Sequence, residues 1–470
     1  MPGQRLRSSI KLTAVVAGLF ALNCAATGSG GIGAVGCSGG APAPRAADAL
    51  VLRNFTLIDG TDRGPLADAA MVVENGHLSW VGRAADLQAP ANARTTDLTG
   101  AFVIPGLIDL HTHLGNTVDL VQDKKFHTRE SVEKDLRTYA SYGVTTVLSM
   151  GTDQDTIFSV RDAIRSAPTP TMARVYTTGQ GLMFEGGYGG LAGVNDPVAT
   201  PEEATAAVST QIDKGVDFIK LWLDDELGTM PKMPAAISQA IIDAAHKRNT
   251  RVLAHIFYLE DAKRLADQGV DGFVHSVRDQ PIDQALIDSM KRHGTWQVAG
   301  TLSREASMFA YGTTPPFASD AFFTRGISAR SLELIKSPER QKTVAGNPNF
   351  KKFPGFFENA KSNLKRLVDA GIPFAAGTDA GPPGRFPGYF LHWELQLMTA
   401  AGLTPAQALT AATGRAAQFL GAKDLGTLEA EKWADFVVLE ANPLTDSVNT
   451  RKIRAVYIAG AEVPSINRGE

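Results

Sequence analysis

Phe102-Val103-Ile104-Pro105-Gly106-Leu107-Ile108-Asp109-Leu110-His111-Thr112-His113 is an apolar run that ends in two histidines one residue apart. Its body, Phe102 to Leu110, has the length and composition of a buried β-strand. Residues i and i+2 of a strand face the same way, so His111 and His113 can project together and share one cation. Alone, a His-x-His pair is a weak metal signal. Its weight depends on what the other strands supply.

Working outward, apolar strand candidates alternate with helical stretches. The strands are Phe102 to Leu110, Thr145 to Met150, Val175 to Gly179, Phe218 to Leu223, Arg251 to Phe257, Gly272 to Val277, Trp296 to Leu302 and Phe374 to Thr378. Helices are expected in the gaps, for example over Pro201 to Asp213, Ala235 to Lys247, Glu260 to Gln268 and Asn359 to Ala370. Eight strand-helix units are the count of a TIM barrel, which makes the chain α/β with a (β/α)8 barrel over 102–424. About 50 residues, 303–353, interrupt the seventh unit and carry seven aromatic residues, Phe309 to Phe353. They read either as a partly helical cap over the strand ends or as an excursion packed on the barrel side. Both chain ends look β-rich: Leu52 to Ile58, Ala70 to Glu74, Leu78 to Val81, Asp435 to Glu440 and Ile453 to Ile458, with Asn75-Gly76 marking a hairpin. They are expected to form a small β-sandwich from 50–101 and 425–462.

Composition narrows the chemistry. The 46 Lys and Arg against 49 Asp and Glu leave a charge of −3, which removes a broad electrostatic case for nucleic acid. With nine histidines and two cysteines, any metal site must use imidazole and oxygen ligands. Both cysteines fall in or beside an N-terminal leader. Arg5, Arg7 and Lys11 precede the mostly apolar run Leu12 to Ala26, and small residues follow, the pattern of an export signal over 1–36. Cys37 sits where a bacterial lipoprotein would be lipidated, although Ala34 stands where Leu is usual. Plain cleavage with release to the periplasm or medium is the alternative. No later stretch reaches the roughly 18 apolar residues of a membrane helix, so membrane contact is expected only through a lipid anchor.

In a barrel of this kind the chemistry sits at the carboxyl ends of the strands. Strand four, Phe218-Ile219-Lys220-Leu221-Trp222, places a lysine inside an apolar strand, where an unpaired ammonium is expensive. Either Asp217 or Asp224 pairs with it, or a depressed pKa leaves a free amine able to take up carbon dioxide as a carbamate. Strand five ends in His255, strand six in Val274-His275, and strand eight in Gly377-Thr378-Asp379-Ala380-Gly381. Each histidine alone could be an ordinary buried residue; six candidate ligands on five strand ends make that reading untenable for the set.

The order His-x-His, Lys, His, His, Asp resembles the amidohydrolase superfamily, in its binuclear branch with a bridging carboxylated lysine. The run Val103 to Asp109, and Leu425-Gly426-Thr427 through Ala434-Asp435-Phe436-Val437-Val438, match the same family, and the likeness spans 50–460. Within it the chain looks most like the imidazolonepropionase-like and prolidase-like group. Imidazolonepropionase itself relies on one metal without the bridging lysine, so Lys220 argues against that activity. The resemblance implies that His111, His113 and Asp379 hold the more buried of two divalent ions, that His255 and His275 hold the exposed one, and that carboxylated Lys220 bridges them. Zn²⁺ fits this donor set best, with Mn²⁺, Co²⁺ or Fe²⁺ as alternatives. It further implies that a bridging hydroxide attacks a carbonyl and that Asp379 takes and returns the proton.

The implied substrate is a small molecule with a C–N amide or peptide bond, such as a dipeptide, N-acyl amino acid or aryl amide. Hydrolysis of a lactone, ester or phosphotriester is the enzymatic rival. A non-catalytic binding lipoprotein would be expected to have lost a ligand, and all six are intact. Around the metals, Tyr258 is a candidate oxyanion donor or a packing residue. Gly186-Gly187-Tyr188-Gly189-Gly190 is a candidate substrate loop, and Arg278 and Arg385 are candidate clamps for a substrate carboxylate or solvated loop charges. Asp224-Asp225-Glu226 reads as a solvated loop or as a lure for a cationic group. His77, His127, His246 and His293 lie off the strand ends, while His392 falls near the expected mouth.

Overall fold

The computed structural model describes residues 49–464, so the leader and Cys37 lie outside the described residues. No described helix is long and apolar enough to cross a membrane. The chain is α/β. Strands β1 (Leu107–Thr112), β2 (Val144–Ser149) and β3 (Arg174–Thr177) form one parallel sheet in the order β3-β2-β1. Strands β4 (Ile219–Trp222), β5 (Val252–His255), β6 (Gly272–Val274) and β7 (Trp296–Ala299) pair in sequence order in a second parallel sheet. Short strands Leu182–Phe184 and Asp196–Val198 extend it on the β4 side.

These strands are almost wholly buried because both faces are covered. Val252 and Ala254 of β5 pack with helical residues such as Ile241 and Leu265, whereas Leu253 between them joins Ile108, Leu148, Val274 and Val298 from the other strands. The helices Pro201–Asp213 and Ala235–Lys247 have the expected limits. The first is fixed by the Thr200 side chain, which accepts from the Glu203 amide, and by proline in its first turn. Helix Phe353–Asp369 begins six residues before the expected Asn359, because Pro354 lies in the first turn, where proline is compatible with a helix.

Two strand expectations need correction. Phe102 to Leu110 is not one strand: Phe102–Pro105 belongs to a separate mixed sheet, and β1 starts at Leu107. The chain changes sheets at Gly106, where any β-carbon would collide with the Thr145 side chain. Phe374 to Thr378 is not a regular strand either. It makes isolated bridges, Phe374 with Gln297 and Ala380 with Thr112, and its backbone is bonded on both sides. The Ala375 amide donates to the Gln297 carbonyl at 3.0 Å, and the Leu110 amide donates to the Ala376 carbonyl at 3.0 Å. Gly377 permits that approach, since a β-carbon there would stand 2.7 Å from the Ala299 β-carbon.

The mixed sheet has eight strands and unites both ends of the described chain. Phe102–Pro105 runs antiparallel to Phe436–Leu439, and Leu50–Leu57 runs parallel to Phe102–Pro105. Hydrogen bonding is continuous, so the expected pair of stacked sheets is one curled sheet. Met71 and Val73 of one flank share a core with Phe436 and Val438 of the other. Leu50–Leu57 makes the curl possible: it pairs with Arg94–Asp97 along its first half and with Phe102–Pro105 at its end, with a register shift at Asn54, whose φ is 66°.

Residues 303–353 are largely helical, but Leu302 already starts the first helix, Leu302–Ala310, and so ends no strand. The central part packs on the flank: Phe317, Phe322 and Phe323 cluster with Tyr142, Tyr389 and Phe390, and Arg325 lies over the Tyr142 and Phe322 rings at 4.4 and 4.2 Å. Its first and last parts reach over the strand ends. Cap and side-packing readings therefore each describe a portion.

The parallel and mixed sheets are locked by a buried ion pair. Arg174 on β3 donates to Asp435 through Nε at 2.8 Å and Nη2 at 3.2 Å, and its guanidinium lies 4.4 Å from the Trp433 ring. Arg174→Met should destabilise the fold by about 3–5 kcal/mol in urea unfolding, because Asp435 is left buried without its cation. A change below about 0.5 kcal/mol would show that the pair holds nothing together.

Candidate active site

The strand-end residues converge. His113 Nε2 lies 2.8 Å from Asp379 Oδ1 and His111 Nε2 3.6 Å from the same oxygen. These three buried side chains offer ligand atoms within 4.8 Å of one another. Their row continues: ring centroids are 5.3 Å apart from His113 to His111, 5.0 Å from His111 to His275 and 4.3 Å from His275 to His255.

Neighbouring groups aim the imidazoles. His113 Nδ1 pairs with Thr152 Oγ1 at 2.8 Å, and His275 Nδ1 with Thr301 Oγ1 at 2.7 Å, which leaves Nε2 of each ring for a ligand. His255 is reversed: Nε2 pairs with Asp224 Oδ2 at 2.9 Å, leaving Nδ1. Burial drives His111 and His275 well below the ordinary histidine range and lowers His255 to about 4 despite Asp224. Neutral imidazoles are the form that binds metal.

Lys220 is fully buried, and Nζ has no hydrogen-bond partner. Neither proposed partner reaches it: Asp217 accepts from Arg165 at 2.6 Å, and Asp224 is engaged by His255. Burial lowers the amine to about 7, so a free base is accessible near neutrality. Its charge acts on both His111 and His255, the two halves of the ligand row.

Asp379 has φ of 60°, in the left-handed region, while its amide donates to the His111 carbonyl at 2.7 Å. Burial raises its pKa, but Arg385 and the two imidazoles outweigh that and hold it well below the carboxylate range. Asp109 supports this corner. It is fully buried and accepts from the His111 amide at 3.2 Å, the Thr378 amide at 3.0 Å and Thr378 Oγ1 at 2.7 Å, which ties β1 to the residue before Asp379.

Around this core several expectations change. Arg385 is no clamp in this structure, because it donates to Asp379 Oδ2. Arg278 is 1% exposed and donates to the Ile256 and Ser276 carbonyls at 2.9 and 3.3 Å. Tyr258 faces elsewhere: its hydroxyl donates to Asp225 at 2.7 Å and its ring lies 3.7 Å from Lys232 Nζ, so it is not turned towards the ligand row. Tyr188 does reach the site, its ring 5.2 Å from that of His255, and burial pushes its hydroxyl up to about 12. The acidic run divides: Asp224 orients His255, Asp225 holds Tyr258, and Glu226 lines a cavity beside the site. His392 is not at a mouth but in the core, where Nδ1 pairs with Thr450 and Nε2 with the Tyr142 carbonyl.

Sequence reasoning missed Thr152 and Thr301, and it missed Arg304, whose Nε lies 3.6 Å from Asp379 Oδ2. The signal for Arg304 was a charged pair, Arg304-Glu305, directly after the apolar seventh strand.

The donor set suits divalent cations: four imidazoles, one carboxylate and an amine with no hydrogen-bond partner, all buried at one place. A model of the Amidohydrolase family matches residues 102–463. Over 440 residues the chain is 26% identical to an imidazolonepropionase of Deinococcus deserti, covering 90% of this chain and 96% of that one. A prolidase-assigned protein from Bifidobacterium longum superposes with a TM-score of 0.68 at 27% identity, covering 89% of this chain and 95% of that one. A Xaa-Pro dipeptidase with bound methionine shares the fold at a TM-score of 0.69 and 22% identity, covering 88% of this chain and 99% of that one. The chain belongs to the amidohydrolase family, in its imidazolonepropionase- and prolidase-like group, and is a hydrolase acting on carbon–nitrogen bonds.

Proposed function

We propose that the chain is a binuclear metal-dependent amidohydrolase, built on a closed (β/α)8 barrel, that cleaves the amide or peptide bond of a small substrate such as a dipeptide, N-acyl amino acid or aryl amide. The observation that carries this reading is Lys220: a buried amine without a partner, within electrostatic reach of His111 on one side and His255 on the other. The barrel reading is supported by seven parallel strands and by the segment around Phe374, which hydrogen-bonds to β7 on one side and β1 on the other. Export by the N-terminal leader rests on the sequence pattern alone.

His111, His113 and Asp379 would hold one ion, and His255 and His275 the other. Lys220 would join them after its neutral amine attacks carbon dioxide and loses a proton, giving a carbamate with two oxygens. When bound, such a pair of ions acidifies water and polarises a carbonyl. The chain's own groups do the rest. Arg385 grips Asp379 Oδ2, so Oδ1 is the oxygen turned to the histidines. Asp379, kept ionised, accepts the proton released as water adds to the carbonyl and donates it to the departing nitrogen. Thr152, Thr301 and Asp224 keep three imidazoles in fixed rotamers and tautomers. Zn²⁺ suits these ligands, and Mn²⁺, Co²⁺ or Fe²⁺ are further candidates.

Lys220→Ala should reduce bound metal from about two ions per chain to one or none, measured by elemental analysis; two retained ions with unchanged turnover would refute the bridge. Since the Lys220 amine is protonated below about 7 and free above, reconstitution with zinc and bicarbonate should go further at a pH of about 8 than at about 6. A flat or inverted dependence would contradict this. Asp379→Asn should lower turnover by about 10²–10⁴-fold with an unchanged circular dichroism spectrum, and near-normal activity would remove it as the proton carrier. A panel of N-acyl amino acids, dipeptides, aryl amides and lactones tests the bond class: activity on lactones alone would overturn it.

A further inference from the structure

Beside the ligand row lies a cavity of about 110 Å³, enclosed partly by the loops after β4, β5 and β6 and partly by the insertion. Its apolar lining is Leu227, Phe257, Met308, Phe353 and Phe356, with Phe356 edge-on to Phe257 at 5.0 Å. Arg278 and Arg304 also line it.

Three guanidinium groups approach this region, and they are not equivalent. Arg385 is bound to Asp379. Arg278 is tied down by two backbone carbonyls; its Nε, also without a hydrogen bond, stands 3.2 Å from Glu305, and its guanidinium lies 4.7 Å from the Phe257 ring. Arg304 makes one hydrogen bond, from Nη1 to Glu305 at 2.7 Å; its buried Nε makes none and stands 3.6 Å from Asp379 Oδ2, which places the guanidinium between the cavity and the reaction centre. Its position is nonetheless fixed. The helix Leu302–Ala310 is capped by Glu394, a fully buried carboxylate that accepts from the Leu302 amide at 2.9 Å and from the Ser303 amide and hydroxyl at 2.7 Å each. Glu305, 3% exposed, braces Arg304 against Arg278. A guanidinium held this way beside the reaction centre, with one hydrogen bond of its own, is preorganised for a carboxylate.

The acids on the same cavity set the limit. Asp224 is engaged by His255 and Glu305 by the two arginines, whereas Glu226, exposed at the rim, has no hydrogen-bond partner for its carboxylate. That free charge repels a second anionic group on a ligand.

We propose that Arg304 is the specificity-determining residue of this enzyme, and that it selects amide substrates carrying one carboxylate next to a bulky apolar group: N-acylated or N-aminoacylated derivatives of aromatic or large aliphatic amino acids. The carboxylate lies on Arg304, and the apolar group lies against Phe257, Met308, Phe353 and Phe356. This deepens the reading of the site as a C–N hydrolase and rests on it, but the carboxylate pocket can be tested by binding alone.

The test is calorimetric titration of the metal-loaded full chain with 3-phenylpropanoate and with 3-phenylpropanamide, for the wild type, Arg304→Met and Arg304→Lys. The wild type should bind the acid about tenfold or more tighter than the amide. Arg304→Met should lose that preference while its affinity for the amide stays within about twofold, and Arg304→Lys should keep part of it, as a charge without the planar fork does. Acid and amide bound alike by the wild type, binding of neither, an acid preference that survives Arg304→Met, or equal weakening of both ligands would each overturn the proposal. Failure of the C–N reading is recognised separately, by absent turnover on amides with the Arg304-dependent binding intact.

Discussion

An amine buried in an apolar strand with nothing to bond to is expensive to keep as an ammonium, and the site is arranged around that fact. Lys220 sits in β4 between two groups of histidines, and the two aspartates nearest in sequence are both engaged by other partners. Burial lowers the amine into the neutral pH range, where it can react. The same burial lowers His111, His255 and His275, so one physical cause acts on nitrogens on both sides of Lys220. The carboxylate needs the opposite treatment, and Arg385, with His111 and His113, supplies it by outweighing the burial that opposes the charge on Asp379.

The supporting architecture serves placement more than bulk stability. Asp109 ties β1 to the segment that carries Asp379 and so sets the distance between the first two histidines and their carboxylate. The insertion is secured at its centre by the aromatic cluster around Tyr142, where the Tyr142 hydroxyl donates to the Phe323 carbonyl at 2.8 Å. Anchored there, it projects Arg304 from one end and Phe353 and Phe356 from the other towards one cavity. The proposed metal ligands thus come from the ends of the parallel strands and the segment after Phe374, while the groups that would touch a substrate come from loops and the insertion, a division that would let substrate range change without disturbing a metal site.

The convergence of His111, His113, His255, His275 and Asp379 was readable in the sequence because strand ends have a fixed relation to one another, and a polar residue that ends an apolar run has few other reasons to be there. Helices such as Pro201–Asp213 were readable to the residue because Thr200 and Pro201 mark the start chemically. What escaped was set by contacts distant in sequence. The break at Gly106 depends on Thr145, the irregularity around Phe374 on close packing against Ala299, and the fate of Arg385 on Asp379 rather than on any substrate. His392 looked close to the site along the chain, but its partners, Thr450 and Tyr142, are on other elements and draw it into the core. Of the two readings of Tyr258, the sequence could not choose, because the partner of its hydroxyl, Asp225, lies on another loop.

The account stands or falls on the chemical state of Lys220. Carbon-13 NMR of zinc-loaded enzyme prepared with labelled bicarbonate tests it directly, against the same preparation of a Lys220→Arg variant. One protein-bound carbamate carbon resonance in the wild type, lost on metal removal at low pH and absent from the variant, is the predicted result. A fully metallated, active enzyme without that resonance would contradict the bridge and leave the buried amine unexplained.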